Sequence, residues 1–246
     1  MLLPLLMFGC VYGADRPAID VPRAAIAPLV SADPADPAWD GAPQVPVLGP
    51  CLGQDATGLP TTSVAARWDA GFLYLRFRCV DAHPLPAAAD KDPYTGDAVE
   101  VFLDAAGDAR TYLELQVGSD GRRIDHLWLM TAEARSEADG VLVGDLIKRE
   151  QWQIPAWPCP GLRTAAQRTP NGWLADIALP AGPVLRRTGK TAFAPMELRA
   201  NLLRLDYGDG PQPRLLAWSP VVPGRPHRSP QACGTFHLVG DAAEGK

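Results

Sequence analysis

The sequence predicts an all-β protein, a single antiparallel β-sandwich of jelly-roll or immunoglobulin-like type. Three observations carry this. Apolar residues recur with period two along most of the chain, as in Leu73-Tyr74-Leu75-Arg76-Phe77-Arg78-Cys79, where Leu73, Leu75, Phe77 and Cys79 face inward and Tyr74, Arg76 and Arg78 outward. Pro (26) and Gly (23) make up about a fifth of the 246 residues, which favours short strands and turns over long helices. No internal repeat and no linker-like stretch divides the chain, so one sandwich is the economical architecture.

The elements follow in order. Thr62 to Trp68 reads as a strand, then the alternating segment above. Ala98 to Asp104 and Tyr112 to Val117 read as a hairpin around Ala105-Ala106-Gly107-Asp108. If Asp104 faces Tyr112, then Glu100 faces Gln116, and one face of the pair shows Glu100, Phe102, Tyr112, Glu114 and Gln116. Ile124 to Met130 is a further strand. Asn171-Gly172 is a tight-turn signal before Trp173 to Leu179. Glu197 to Leu205, Arg214 to Ser219 and Gly234 to Val239 complete the set. Glu133 to Asp145 fits a loop or a short helix, and Gln151 to Gly161 an ordered irregular loop carrying Trp152 and Trp157. Trp68, Trp173 and Trp218 fall on strand patterns and belong to the core.

Composition narrows the function classes. At 47% hydrophobic residues the chain can bury a full core. The net charge is −5 and Lys and Arg do not cluster, which speaks against nucleic acid as a partner. No segment approaches the ~18 apolar residues of a membrane span. Residues 1–13 read as the end of an export signal, followed by an N-terminal segment over 14–25, the sandwich over 26–240 and a tail over 241–246. The expected location is therefore periplasmic or extracellular. Cleavage before Ala14 gives a secreted protein; a poor lipobox at Met7 to Cys10 offers a lipid anchor at Cys10 instead. Cys51, Cys79, Cys159 and Cys233 remain after export, in any of three pairings or as buried free thiols. Their spacing gives no zinc motif.

Tyr94 stands on the Pro/Gly turn Asp92-Pro93-Tyr94-Thr95-Gly96, just before a strand in which Glu100 is set among apolar neighbours. An exposed ring can stack on the C–H face of a sugar, and a fixed carboxylate can accept its hydroxyl protons. Asp97, Glu100 and Asp104 also invite a glycosidase reading, since two carboxylates flank the bond in most such enzymes. Acids close together on one strand rarely face each other across a substrate, and no G-x-S-x-G, HExxH or GxGxxG signal accompanies them.

The landmarks together resemble carbohydrate-binding module family 9, within the DOMON-like superfamily. They are Asp33-Pro34-Ala35-Asp36-Pro37-Ala38-Trp39; Trp68-Asp69 through Leu73-Tyr74-Leu75; Tyr94 followed by Asp97-Ala98-Val99-Glu100-Val101-Phe102; Gly172-Trp173 through Pro180; Arg199-Ala200-Asn201-Leu202; Ala217-Trp218-Ser219-Pro220; and His227 through Pro230 to Cys233-Gly234. They run from about Ile26 to Val239. In sugar-binding members two Trp rings sandwich a terminal sugar while a Glu and an Arg bind its hydroxyls. The resemblance puts Tyr94 and His227 at the ring positions, Glu100 at the Glu and Gln116 at the Arg. It implies an exported, non-catalytic domain that binds glycan ends alongside glycan-degrading enzymes.

Three other expectations are open. No cofactor is required, but Asp33, Asp36, Asp81 and Asp90 fall on loops, and structural calcium occurs in the family. The superfamily also holds haem-b modules with Met and His ligands; Met196 with His237 or His83 is the conceivable pair, and His126 and Met130 share one strand. The third is an envelope scaffold whose sugar site is lost, which the substitutions at three of the four binding positions favour.

Overall fold

The structure, a computed structural model, describes residues 16–45, 48–51, 55, 57–130, 151–154, 159–208, 210, 212–219, 221 and 232–240, with backbone alone at 129–130 and 151–154. The expected export signal, the segment Glu133 to Asp145, Trp157 and His227 lie outside the described residues. So do the side chains of Trp152 and Met130.

Two sheets form a sandwich. The smaller contains β2 (Gln44–Val45), β4 (Thr62–Trp68), β5 (Phe72–Val80), β10 (Arg163–Thr169) and β11 (Gly172–Pro180), in the order β10-β11-β5-β4-β2. The larger has nine strands among the described residues. Its main path is β1 (Ala18–Pro22), β14 (Gly234–Val239), β12 (Met196–Asp206), β6 (Ala98–Asp104), β7 (Thr111–Gly118), β8 (Arg123–Met130) and β9 (Gln151–Ile154). β13 (Arg214–Ala217) branches from β12, and β3 (Gly49–Pro50) pairs with β13. One short helix, α1 (Ala181–Leu185), follows β11.

Most of the expected strands stand within a residue or two of their expected ends. The exceptions have physical reasons. β1 pairs in parallel with β14, so the sheet is not purely antiparallel and takes in residues before Ile26. Its sequence, Ala-Ile-Asp-Val-Pro, is too short and too close to proline to read as a strand. Gln151–Ile154 is a strand on β8, not irregular loop. β10, Arg-Thr-Ala-Ala-Gln-Arg-Thr, has no apolar alternation because it is a half-exposed edge strand.

The main core lies between the sheets. Leu73, Leu75, Phe77 and Cys79 of β5 meet Val99, Val101 and Leu103 of β6, with Trp68, Trp173 and Trp218 all buried in the same cluster. The outward set of β5 is a correction. Tyr74 and Arg76 point away from the main core but are buried too, because the segment around Val30 to Ala42 covers that face. Arg76 pairs in two contacts with Asp176 of β11 (2.7 and 2.8 Å) and lies 4.9 Å from the centre of the Trp39 ring. A period-two pattern finds the two faces of a strand, not a layer added outside the sandwich.

β12 is the spine of the larger sheet. β6 pairs along one side, while β14 (at Met196 to Ala200) and β13 (at Leu203 to Asp206) share the other. Asn201 sits in the gap between them. Its Oδ1 accepts from the backbone N–H of Ser219 (2.9 Å), and its Nδ2 donates to the carbonyl of Ser219 (2.9 Å). Gly234 is equally constrained: a Cβ there would sit 2.6 Å from the carbonyl oxygen of Pro17 and 2.7 Å from the Trp218 ring.

Candidate functional site

The outer face of the larger sheet carries the polar residues singled out in the sequence. β6 and β7 place Glu100 directly opposite Gln116 and Phe102 opposite Glu114, which is the register expected from the hairpin. β8 adds Ile124, His126 and Trp128, opposite Gln116, Glu114 and Tyr112. β12 and β13 wall the face with Leu203, Leu205, Leu215 and Ala217. Aromatic rings run across it. Tyr112 stacks on Trp128 (6.1 Å between centres, 14° between planes), and His126 meets Trp128 edge-on (6.4 Å, 83°).

Hydrogen bonds are distributed unevenly here. Glu114 accepts from Nε2 of Gln116 (2.8 Å) and from Nε1 of Trp128, and Nδ1 of His126 lies 3.7 Å away. Burial alone would raise its carboxyl, but the hydrogen bonds from His126, Trp128 and Gln116 outweigh burial and hold it below the usual range. Glu100 is 5% exposed, and burial, with the Glu114 charge adding, pushes its carboxyl well above the usual range. Cys51, also on this face, has its thiol pushed up to about 12 by burial.

Tyr94 sits on the short 3-10 turn Pro93–Thr95 that leads into β6, and it is 44% exposed. The turn is well braced. The Tyr207 hydroxyl donates to the Tyr94 carbonyl (2.8 Å), and Asp97 accepts from the N–H groups of Leu85 (2.6 Å) and Tyr207 (2.7 Å). Arg122 gathers the carbonyls of Ala87, Ala88, Ala89 and Lys91. Gly96 must stay a glycine, since a Cβ would lie 2.2 Å from the Ala87 nitrogen. An exposed ring is thus held on a rigid base.

Of the four residues expected in the site, the structure pairs Glu100 with Gln116 and sets Tyr94 on the turn entering the same strand. His227 lies outside the described residues, although Val221 and Ala232, on either side of it, both pack on this face. Sequence reasoning missed Trp128, His126 and Tyr207. Extending the alternation of β7 onto the Ile124 to Met130 strand would have found the first two. Among the described residues, two small cavities border the strands of this face, one beside Val101, Cys159 and Leu162 and one beside Thr111, Pro183 and Arg187.

The other expectations meet the geometry as follows. Asp97 and Asp104 do not join Glu100 as a catalytic pair. Asp97 holds the backbone as described, and Asp104 closes the hairpin through the N–H groups of Gly107 (2.8 Å) and Ala109 (2.7 Å). The four loop acids do not converge. Asp33 and Asp36 accept local backbone N–H groups, and Asp90 faces Lys91 at 3.3 Å. Asp81 instead meets Asp97 and Asp206, with oxygens within 4.8 Å of one another. That cluster is a poor fit for calcium, because Arg204 already supplies a buried positive charge to Asp81 (2.9 Å) and Asp206 (2.6 Å), and Arg214 pairs with Asp206. Of the conceivable haem ligands, Met196 and His237 do not line up. Met196 stands opposite Leu238 and packs on the core, while His237 is the next residue along and points to the other face. Cys51, Cys79, Cys159 and Cys233 are buried free thiols.

Comparison with known proteins gives a consistent result. A family 9 carbohydrate-binding module from Caldicellulosiruptor kristjanssonii, solved in complex with cellotriose, is 13% identical and superposes with a TM-score of 0.62 over 94% of this chain and 97% of that one. A family 9 module from the same organism, in complex with glucose, gives 14% identity and a TM-score of 0.60, over 94% and 100%. A Bacteroides uniformis ATCC 8492 protein, itself only provisionally assigned to carbohydrate binding, gives 16% and 0.67, over 92% and 100%. No curated protein matches. At these identities the superpositions establish the sandwich fold. The sequence profile of the family described as carbohydrate family 9 binding domain-like covers residues 33–240, and the chain belongs to that family.

Proposed function

We propose that this domain binds the ends of neutral glycans on the outer face of its larger sheet, without chemistry of its own, as an exported protein serving polysaccharide breakdown. The observation that carries the reading is the Glu100–Gln116 pair, set opposite each other on adjacent strands, with the exposed Tyr94 on the turn that enters the Glu100 strand. Membership of the family supports it, as do the cellotriose and glucose held by the similar modules. Tyr94 supplies a flat face, Glu100 and Gln116 supply hydroxyl partners, and His227 is proposed as the second ring. The non-catalytic reading is supported by Asp97 and Asp104, which are engaged with backbone N–H groups instead of pairing with Glu100.

A glycan array of the purified mature domain tests this, run with wild type and Glu100→Ala. A neutral-glycan signal lost in the variant supports the proposal. An absorbance band at about 400 nm in the same sample would favour the haem module instead. Neither signal would favour the scaffold that has lost its sugar site.

A further inference from the structure

We propose that the formed site holds one proton on its two carboxyls, at Glu100, whose O–H donates a hydrogen bond to Oε1 of Gln116, while Glu114 stays ionised and orients the Gln116 amide. The ligand consequence drawn below rests on the carbohydrate reading; the proton assignment does not.

The geometry carries the assignment. An ionised carboxylate only accepts, so Nε2 of Gln116 must face Glu114 and Oε1 must face away from it. The amide orientation is therefore set by Glu114. Oε1 of Gln116 is buried, and among the described residues no donor reaches it. Glu100, directly opposite, is nearly as buried, and among the described residues no donor supports its carboxyl. A buried lone acceptor is costly and a buried lone carboxylate more so. One proton on Glu100 relieves both, because side chains directly opposite on paired strands are within reach of each other.

The groups that face Glu100 agree. β7 presents Glu114 and Gln116, β8 presents His126, and Cys51 presents a thiol. β12 and β13 present Leu203, Leu205, Leu215 and Ala217. Arg199, on the same face, stands opposite Asp104 four residues along and donates to the carbonyl of Cys233. Of the two carboxyls, Glu114 has three side-chain donors close by and Glu100 has none among the described residues, so the charge belongs on Glu114. The upward shift of Glu100 and the downward shift of Glu114 fit this division.

The ligand consequence concerns specificity. A protonated Glu100 donates to Gln116 and keeps its second oxygen as an acceptor for a sugar hydroxyl. With Glu114 ionised beside it, the pair suits a neutral sugar and repels a uronate.

The test is carboxyl titration by NMR on wild type and Glu114→Gln, side-chain amide NMR on Glu100→Gln, and cellotriose and galacturonate-oligomer binding to wild type. In wild type, one carboxyl, assigned to Glu100, should titrate well above the ordinary carboxylate range. Glu114→Gln should bring that titration down, which a merely structural role would not do. Glu100→Gln presents the same donor and acceptor pattern, so it should fold, lose that titration and leave the Gln116 side-chain amide signals close to wild type. Glu100 titrating in the ordinary range would overturn the assignment. So would Gln116 side-chain amide signals displaced in a folded Glu100→Gln, as expected if an ionised carboxylate had been replaced. A high Glu100 titration with no oligosaccharide binding would sink the carbohydrate reading while upholding the proton assignment.

Discussion

Nε2 of Gln116 donates to Oε1 of Glu114 at 2.8 Å, a bond between two buried side chains two residues apart on one face of β7. It makes the polar part of the face a network and not a set of separate contacts. Replacing Gln116 with Leu removes a donor from a buried carboxylate and should destabilise the domain by about 1–3 kcal/mol. Chemical denaturation checks this. The Glu114 carboxyl should move up at the same time, since one of the bonds that lowers it is gone.

Tyr94 should behave in the opposite way. It is 44% exposed, so Tyr94→Ala should leave the midpoint of unfolding almost unchanged. If the ring is a sugar platform, the same change should weaken binding by about 1–3 kcal/mol in calorimetry. Tyr207→Phe, which removes the hydroxyl bonded to the Tyr94 carbonyl, should give a smaller loss of the same kind.

Arg204 joins the two sheets. Its guanidinium, fully buried on β12, donates to Thr62 Oγ1 (3.1 Å) and the Val80 carbonyl (3.0 Å) across the sandwich and pairs with Asp81 and Asp206. Arg204→Ala leaves Asp81 without its cationic partner and Asp206 with Arg214 alone, and should cost about 3–5 kcal/mol. Arg204→Lys should recover only part, because an ammonium cannot reproduce the planar fork. Thermal unfolding of the two variants distinguishes these outcomes.

Asp97 gives the domain a stability that depends on pH. Burial pushes its carboxyl up to about 6, against the lowering hydrogen bonds from Tyr207 and Leu85, and the neighbouring Asp81 adds to the rise. The folded state therefore holds this proton more tightly than the unfolded chain. Its contribution is fully present below the ordinary Asp range and is lost as pH rises through about 6. Asp97→Asn should flatten the unfolding temperature across that interval relative to wild type, even if it lowers stability at every pH by disturbing one backbone bond. An unchanged slope would contradict the assignment.

The alternating segments were legible in the sequence because each strand of the central sandwich has one face in the main core. The Glu100–Gln116 register followed from the hairpin alone, since the turn fixes which residues lie opposite. What lay outside the sandwich was not legible. Trp39 over Arg76 depends on a loop folding back across the smaller sheet, and nothing in the period of β5 announces that cover. β1 and β10 were missed because edge strands need no apolar alternation. At the site, Glu100 was recognisable as an acid among apolar neighbours. Trp128 and His126 as partners of Glu114 were not, because they come from β8, a different strand whose alignment only the sheet reveals.

The most direct test of the account is a nitrogen–proton NMR titration of the labelled domain with neutral cello-, xylo- and manno-oligosaccharides. The account predicts saturable shifts for at least one series, concentrated at the Gln116 side-chain amide, the Trp128 indole N–H and the backbone around Tyr94. No shift with any series, or shifts confined to the Trp39 face of the smaller sheet, would contradict it.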